Sequence, residues 1–277
     1  PGGPSHDPPG NRPQSSSSAG FRHRLRSAEM VLGTWTGTSD PMIVEAMASS
    51  TAEFLVIDGE HGALGRQGIL TSLIAARAGG ARTLVRLGGD DPVHMMAALD
   101  SGADGIIVPR VRSAAEVVRA VDQCRYPPQG SRGFGPRQAG GYHRHEERYL
   151  EEANRSVTLL VQIETAEAYA DLDEILDVEG LDGVLVGRND LALSMGLSRD
   201  HEDPQLLEVV EDVLSRARDR QMVRAIAAGI DPSAPAALRE LGANVVAGGA
   251  DLEFIVHGLD RYLEAAAEGL REARAAR

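Results

Sequence analysis

The chain predicts an α/β fold, a (β/α)8 barrel in which one closed parallel sheet is wrapped by helices. Three observations lead there. Eight short apolar runs recur over residues 21–277, most of them separated by an Ala- and Leu-rich segment with helical spacing. Steady alternation of strand and helix implies a parallel sheet, and runs without polar alternation read as strands buried on both faces. The length of 277 residues suits one such barrel, which occupies roughly 250 residues as a single domain.

Residues 1–20 (PGGPSHDPPGNRPQSSSSAG) offer almost nothing to bury, so they are expected to be disordered and to stand apart from one barrel domain over 21–277. They lack the apolar core of a secretory signal. Strands are expected at 31–35, 54–57, 83–85, 105–108, 158–163, 183–186, 223–227 and 244–247. Helices are expected at 66–78, 91–101, 114–123, 166–176, 204–220 and 232–241. The turns Gly102-Ala103-Asp104, Gly180-Leu181-Asp182 and Gly242-Ala243-Asn244 each place a glycine where a helix C-cap needs positive φ. Residues 251–274 form one long or two short amphipathic helices, packed either on their own barrel or on a neighbouring subunit. The longest connection runs from Val111 to Val157. Its Pro- and Gly-rich part, 126–136, marks an extended loop of the kind that carries function in a compact barrel.

Hydrophobic (42%) and charged (25%) fractions are ordinary for a globular protein. No apolar run reaches the roughly 18 residues of a membrane span, so no membrane partner is expected. A net charge of −13 argues against a nucleic-acid partner, whose phosphates are bound through a surplus of Lys and Arg. The single cysteine, Cys124, cannot form an internal disulfide. That is compatible with a reducing cytoplasm, and the residue reads as a small buried hydrophobe.

In such a barrel the active groups follow the strands, at their C-terminal ends. There the sequence places Trp35, Asp58-Gly59-Glu60-His61, Arg86, Pro109-Arg110, Glu164 and residues 187–190. Glu164 and Asp190 lie one βα unit apart, and two carboxylates at one end of adjacent strands suit a hard divalent cation such as Mg²⁺. The plainer reading is helix capping or ion pairing. Asp58 and His61 offer an acid and a base within one turn, the makings of a general base. Arg86 closes a buried strand, where its charge needs a partner. It either holds a substrate carboxylate or enolate oxygen or pairs with Glu60 or Glu164. The backbone of residues 187–189 could bind a carboxylate through N–H groups.

The ordered set Asp58-Gly-Glu-His61, Val85-Arg86, Asp91-Pro92, Leu99-Asp100-Ser-Gly-Ala-Asp-Gly, Tyr126-Pro-Pro-x-Gly130, Arg132-Gly133, Val161-Gln-Ile-Glu-Thr165 and Asp182-Gly-Val-x-x-Gly187-x-x-Asp-Leu191 resembles the metal-dependent (class II) pyruvate aldolases. This is the 4-hydroxy-2-oxoheptanedioate aldolase family, related to 2-dehydro-3-deoxyglucarate aldolase and macrophomate synthase. The resemblance implies a barrel of the phosphoenolpyruvate/pyruvate type and a homo-oligomer, trimer or hexamer, with an exchanged C-terminal helix. It implies Mg²⁺, Mn²⁺ or Co²⁺ on Glu164 and Asp190, with Gln162 supporting the metal shell. It makes Arg86 the stabiliser of the enolate oxygen and His61, paired with Asp58, the acid/base. Asp100 would reach an adjacent subunit's site, and residues 187–190 would contact the carboxylate of a 2-oxo acid. Trp35, Arg188 and Asn189 join these as substrate-binding candidates.

Three departures accompany the match. Arg188 and Asn189 follow Gly187 where the family has Pro and a small residue or Asn. Arg110 follows Pro109 where the family has Met, and the His61 turn lacks its proline. The two added arginines suit a carboxylated or phosphorylated aldehyde, or pair with acids such as Glu60. The function expected is therefore a C–C lyase joining a pyruvate enolate and an aldehyde. Alternatives are an oxaloacetate decarboxylase and C–C bond-forming synthase of the macrophomate synthase type, or an acyl-CoA lyase of the citrate lyase β type.

Overall fold

The computed structural model describes residues 18–27, 29–89 and 91–275. Its strands are β1 (Val31–Thr36), β2 (Phe54–Asp58), β3 (Arg82–Arg86), β4 (Gly105–Val108), β5 (Thr158–Ile163), β6 (Gly183–Val186), β7 (Val223–Ala228) and β8 (Val245–Ala250). They close into one barrel in sequence order, every neighbouring pair parallel. The expected (β/α)8 architecture is therefore present. Expected and observed strand ends differ by at most a few residues.

The helices are α1 (Ser18–Arg26), α2 (Pro41–Ala48), α3 (Arg66–Ala78), α4 (Pro92–Asp100), α5 (Ala114–Cys124), α6 (Glu146–Ser156), α7 (Ala166–Ala170), α8 (Leu172–Leu176), α9 (Arg188–Met195), α10 (Pro204–Asp219), α11 (Ala234–Glu240) and α12 (Asp251–Ala275). Three of them start alike: Asp40, Asp91 and Asp203 each stand before a proline and accept N–H bonds from the second and third residues beyond themselves. An aspartate N-cap with proline at the first helical position satisfies orphan donors and presets φ. The expected helix over 166–176 is broken at Asp171, whose carboxylate instead accepts the Ala114 N–H at 2.6 Å.

Residues 1–17, most of the segment expected to be disordered, lie outside the described residues. Ser18 to Gly20, assigned by the sequence to that segment, open α1. This helix has only two apolar anchors, Phe21 and Leu25, too few to show helical periodicity. Both are buried, and Phe21 packs on Phe54 with ring centroids 6.1 Å apart. Together they join the column of side chains that fills the barrel, including Val56, Leu84, Ile107 and Leu160. The alternate strand residues, such as Ile57, Val85, Ile106 and Val161, face outward into the layer beneath the helices. Gly33 is required here, because the Phe54 ring lies across the space a Cβ would take.

The three Gly-x-Asp/Asn turns do more than cap helices. Their glycines have φ of 91°, 94° and 113°, as expected for C-caps. The acid or amide two residues on then clasps the start of a neighbouring strand. Asp104 accepts Thr83 N–H (2.9 Å), Asp182 accepts Leu159 N–H (2.9 Å) and Asn244 accepts Arg224 N–H (2.8 Å).

The C-terminal segment is one helix, α12, and every described side chain beyond Asp251 is exposed, Phe254, Ile255, Val256 and Leu259 among them. It does not pack along its own barrel. No described helix is long and apolar enough to cross a membrane. Cys124 is 1% exposed, the buried hydrophobe its composition suggested.

Candidate active site

Asp58 and Arg86 end adjacent strands and are register partners. The Arg86 guanidinium grips Asp58 through Nε (2.9 Å) and Nη2 (2.7 Å), a two-bonded fork. Its Nη1 lies 3.3 Å from Glu60 Oε2. The Trp35 ring backs the guanidinium at 4.6 Å, held by an Nε1–H bond to Ala247 O at 3.0 Å. The cation is thereby fixed in plane and direction. Of the acids suggested for it, Arg86 takes Glu60 and not Glu164.

The expected pairing of the Asp58 and His61 side chains is corrected. Asp58 Oδ1 accepts the N–H groups of Glu60 (3.0 Å) and His61 (3.2 Å), closing the turn, while both oxygens also bind Arg86. Its register partner thus outcompetes the imidazole. The His61 ring is exposed, with Nε2 3.9 Å from Glu60 Oε2. Burial pushes the Asp58 carboxyl up, but the Arg86 fork and two backbone donors outweigh it and hold the group below its ordinary value. Glu60 is shifted the other way, raised by burial against the pull of Arg86.

On the opposite strands Glu164 follows β5 and is 3% exposed. Its Oε1 accepts the Arg110 N–H at 2.7 Å, and its Oε2 accepts Gln162 Nε2. Arg110 turns this N–H inward from a left-handed backbone, φ 57°, a strained conformation of the sort that gathers at functional sites. Burial, with added repulsion from Glu60 and Asp190, pushes the Glu164 carboxyl up to about 7 against the Arg110 N–H. Gly187 leaves this pair its room: a Cβ there would stand 2.7 Å from Glu164 Oε2 and 2.9 Å from Gln162 Nε2, so both side-chain ends would have to shift. Asp190 is exposed in the first turn of α9, and Gly187 offers no side chain to cap that helix. Its first N–H groups are therefore left for an anion.

Arg188 Nη2 donates to Ala227 O at 3.2 Å, and burial lowers its pKa. Asn189 Oδ1 meets His201 Nε2 at 3.0 Å. By sequence His201 reads as a surface or loop residue, because nothing there signals that its loop folds back onto α9. Asp251 was missed as well. Buried at the end of β8, its Oδ2 takes Thr36 Oγ1 (3.0 Å) and the N–H groups of Gly37 and Thr38 (both 2.9 Å), pinning the loop after β1.

Asp100 is not brought to this mouth. It ends α4, which runs back toward the N-terminal end of the barrel. There it binds Arg132 at 2.6 Å, with the Tyr126 ring 4.5 Å from that guanidinium. The conspicuous 126–136 stretch thus packs around Asp100.

A hard divalent cation fits the Glu164 side of the mouth. Glu164 is an acid raised by its surroundings, other carboxylates add to its field, and the Oε1 of its neighbour Gln162 is buried without a hydrogen-bond partner. Among the described residues no three His, Cys, Asp or Glu converge as a cage. Two carboxylates leave room for water and substrate oxygens, as Mg²⁺-type ions prefer. A fixed cation, Arg86, stands within electrostatic reach of the same carboxylate.

Comparison with known proteins agrees with this fold. The hydroxypyruvate/pyruvate aldolase of Roseovarius nubinhibens is 37% identical over 85% of this chain and 91% of its own length. The 4-hydroxy-2-oxo-heptane-1,7-dioate aldolase of Salmonella paratyphi C is 35% identical over 87% of this chain and 91% of its own. A crystal structure of an aldolase/citrate lyase family protein from Burkholderia cenocepacia superposes with a TM-score of 0.84 at 27% identity, covering 89% of this chain and 98% of that one. The model of the HpcH/HpaI aldolase/citrate lyase family matches residues 32–258, from β1 into α12. With the family model and these relatives in agreement over most of the barrel, the chain belongs to the HpcH/HpaI aldolase/citrate lyase family.

Proposed function

We propose that this chain is a metal-dependent aldolase that forms or cleaves the C–C bond between pyruvate and an aldehyde. The observation that carries this reading is the raised, buried Glu164 beside Gly187, within reach of the fixed Arg86 cation. The names of the curated relatives support it. Glu164 and Asp190 would hold Mg²⁺, Mn²⁺ or Co²⁺, with Gln162 in support. When bound, such an ion supplies Lewis-acid polarisation of the 2-oxo group.

The chain's own residues do the rest. N–H groups of residues 188–190 receive the pyruvate carboxylate, the Gly187 N–H being spent on Ile163 O. Arg86, locked by Asp58 and Trp35, faces the negative charge that grows on the keto oxygen as a methyl proton leaves. His61 Nε2, 3.9 Å from Glu60 Oε2, takes that proton through a water. In the cleaving direction the same groups act in reverse. Asp58 is then a positioning residue for Arg86 and the His61 turn. The uncovered apolar side of α12, and Asp100 at the far end of the barrel, support a trimer or hexamer with α12 exchanged and Asp100 serving an adjacent subunit's site.

The test is proton NMR of pyruvate in D₂O with Mg²⁺ or Mn²⁺, with and without EDTA. Methyl exchange that requires metal and disappears in Glu164→Ala is the expected result. Exchange that survives EDTA refutes the role of the metal. No exchange with any metal, together with active oxaloacetate decarboxylation, would replace pyruvate as the donor.

A further inference from the structure

The structure separates the two arginines that the sequence places near the mouth. Arg110 commits its backbone N–H to Glu164, and its charge favours ionised Glu60. Arg188 has no such acid. One N–H of its guanidinium meets Ala227 O, at 3.2 Å, and its Nε is buried with no acceptor. Among the described residues no carboxylate forms an ion pair with it, and the one acid acting on it is Glu202, exposed on the loop before α10.

A part-buried guanidinium without a counterion is costly, and its planar fork matches a carboxylate or phosphate. Its position is also specific. It adjoins Gly187, and the carbonyl that anchors it belongs to Ala227, which packs on the apolar column inside the barrel. The cation is therefore held at the rim between the ends of β6 and β7.

Resting on the aldolase reading above, we propose that Arg188 is a specificity-determining residue that receives an anionic group, carboxylate or phosphate, on the aldehyde acceptor. The new C–C bond joins the pyruvate methyl carbon to the aldehyde carbon, and the acceptor's far end lies on Arg188.

The experiment compares kcat/KM of the metal-loaded enzyme and of Arg188→Met for aldehydes of one length ending in a carboxylate, a phosphate or a carboxamide. Charge-assisted hydrogen bonds give an expected wild-type preference for one of the anions over the amide of about 10–100-fold. The preference should fall at least about tenfold in Arg188→Met, through KM, and return in part in Arg188→Lys, which keeps the charge without the fork. No preference in the wild type, or one unchanged in Arg188→Met, overturns the proposal. So does an equal loss in pyruvate methyl exchange, which would assign Arg188 to the donor. Calorimetric binding of butyrate against butyramide needs no turnover. Butyrate binding that weakens in Arg188→Met supports the site even if the wild type leaves pyruvate unexchanged, and absent or unchanged binding rejects it. Failure of the aldolase reading and failure of this one are thus seen separately.

Discussion

Asp182 and Glu164 are both strand-end acids, 0% and 3% exposed, one at the N-terminal end of the barrel and one at its mouth. Asp182 is saturated. Its Oδ1 takes Arg22 (2.7 Å) and Arg26 (3.2 Å), and its Oδ2 takes Arg125 (3.4 Å) and the Leu159 N–H (2.9 Å). Glu164 has one backbone donor and one amide, with acids acting on it, and its carboxyl is driven up to about 7. Burial costs a carboxylate much the same at either end, so the difference lies in the partners. One end spends its partners on holding strands together. The other leaves a charge for a ligand to complete, which is how barrels of this type divide stability from activity.

The contrast is tested first where the largest effect is expected. Asp182→Ala strands Arg125, whose side chain is 3% exposed, and should cost about 3–5 kcal/mol in urea unfolding, as removal of one partner of a buried pair does. A loss below about 1 kcal/mol would show the clasp to be dispensable. At the mouth, Arg86→Ala should lower kcat about 10²–10³-fold, the usual cost of losing a donor to developing charge. Steady-state kinetics giving only a raised KM would restrict Arg86 to binding.

A third comparison uses pH. The Glu164 carboxyl moves from 4.5 to about 7 on folding. A raised value contributes stability that is present below the unfolded value and lost as pH rises through the folded one. In metal-free protein, Glu164→Gln should therefore gain on the wild type by on the order of 2 kcal/mol between about pH 5 and pH 8. Added Mg²⁺ should stabilise the wild type alone. Parallel stability curves for the two proteins would contradict this. Smallest is Gly187→Ala, whose Cβ presses on Glu164 Oε2. It should weaken metal binding about 10–100-fold by calorimetry while leaving unfolding within about 1 kcal/mol of the wild type.

The strands were legible because most are apolar runs buried on both faces, as 158–163 and 183–186 show without a break. α2 was overlooked although Asp40-Pro41 announces it as clearly as Asp91-Pro92 announces α4. α1 could not be read, since its two anchors become significant only when they meet Phe54 inside the barrel. Within the candidate site the residue types following each strand were plain, but the partners of Asp58 were not. A turn of four residues suggested His61, whereas register with β3 delivered Arg86.

By itself the sequence determined the alternation of strand and helix, the helix caps, and which polar groups stand at the C-terminal rim. Periodicity, capping and chain order are local properties, written within a few residues of each element. The tertiary structure decided which of those groups are neutralised and which are not. Arg86 is held in plane by Asp58 and Glu60, Arg110 bears on Glu60 and Glu164, and among the described residues Glu164 and Arg188 form no ion pair. Charge balance depends on distance through space, and closing the barrel brings β2 beside β3 and β5 beside β6 in a register that spacing along the chain does not encode.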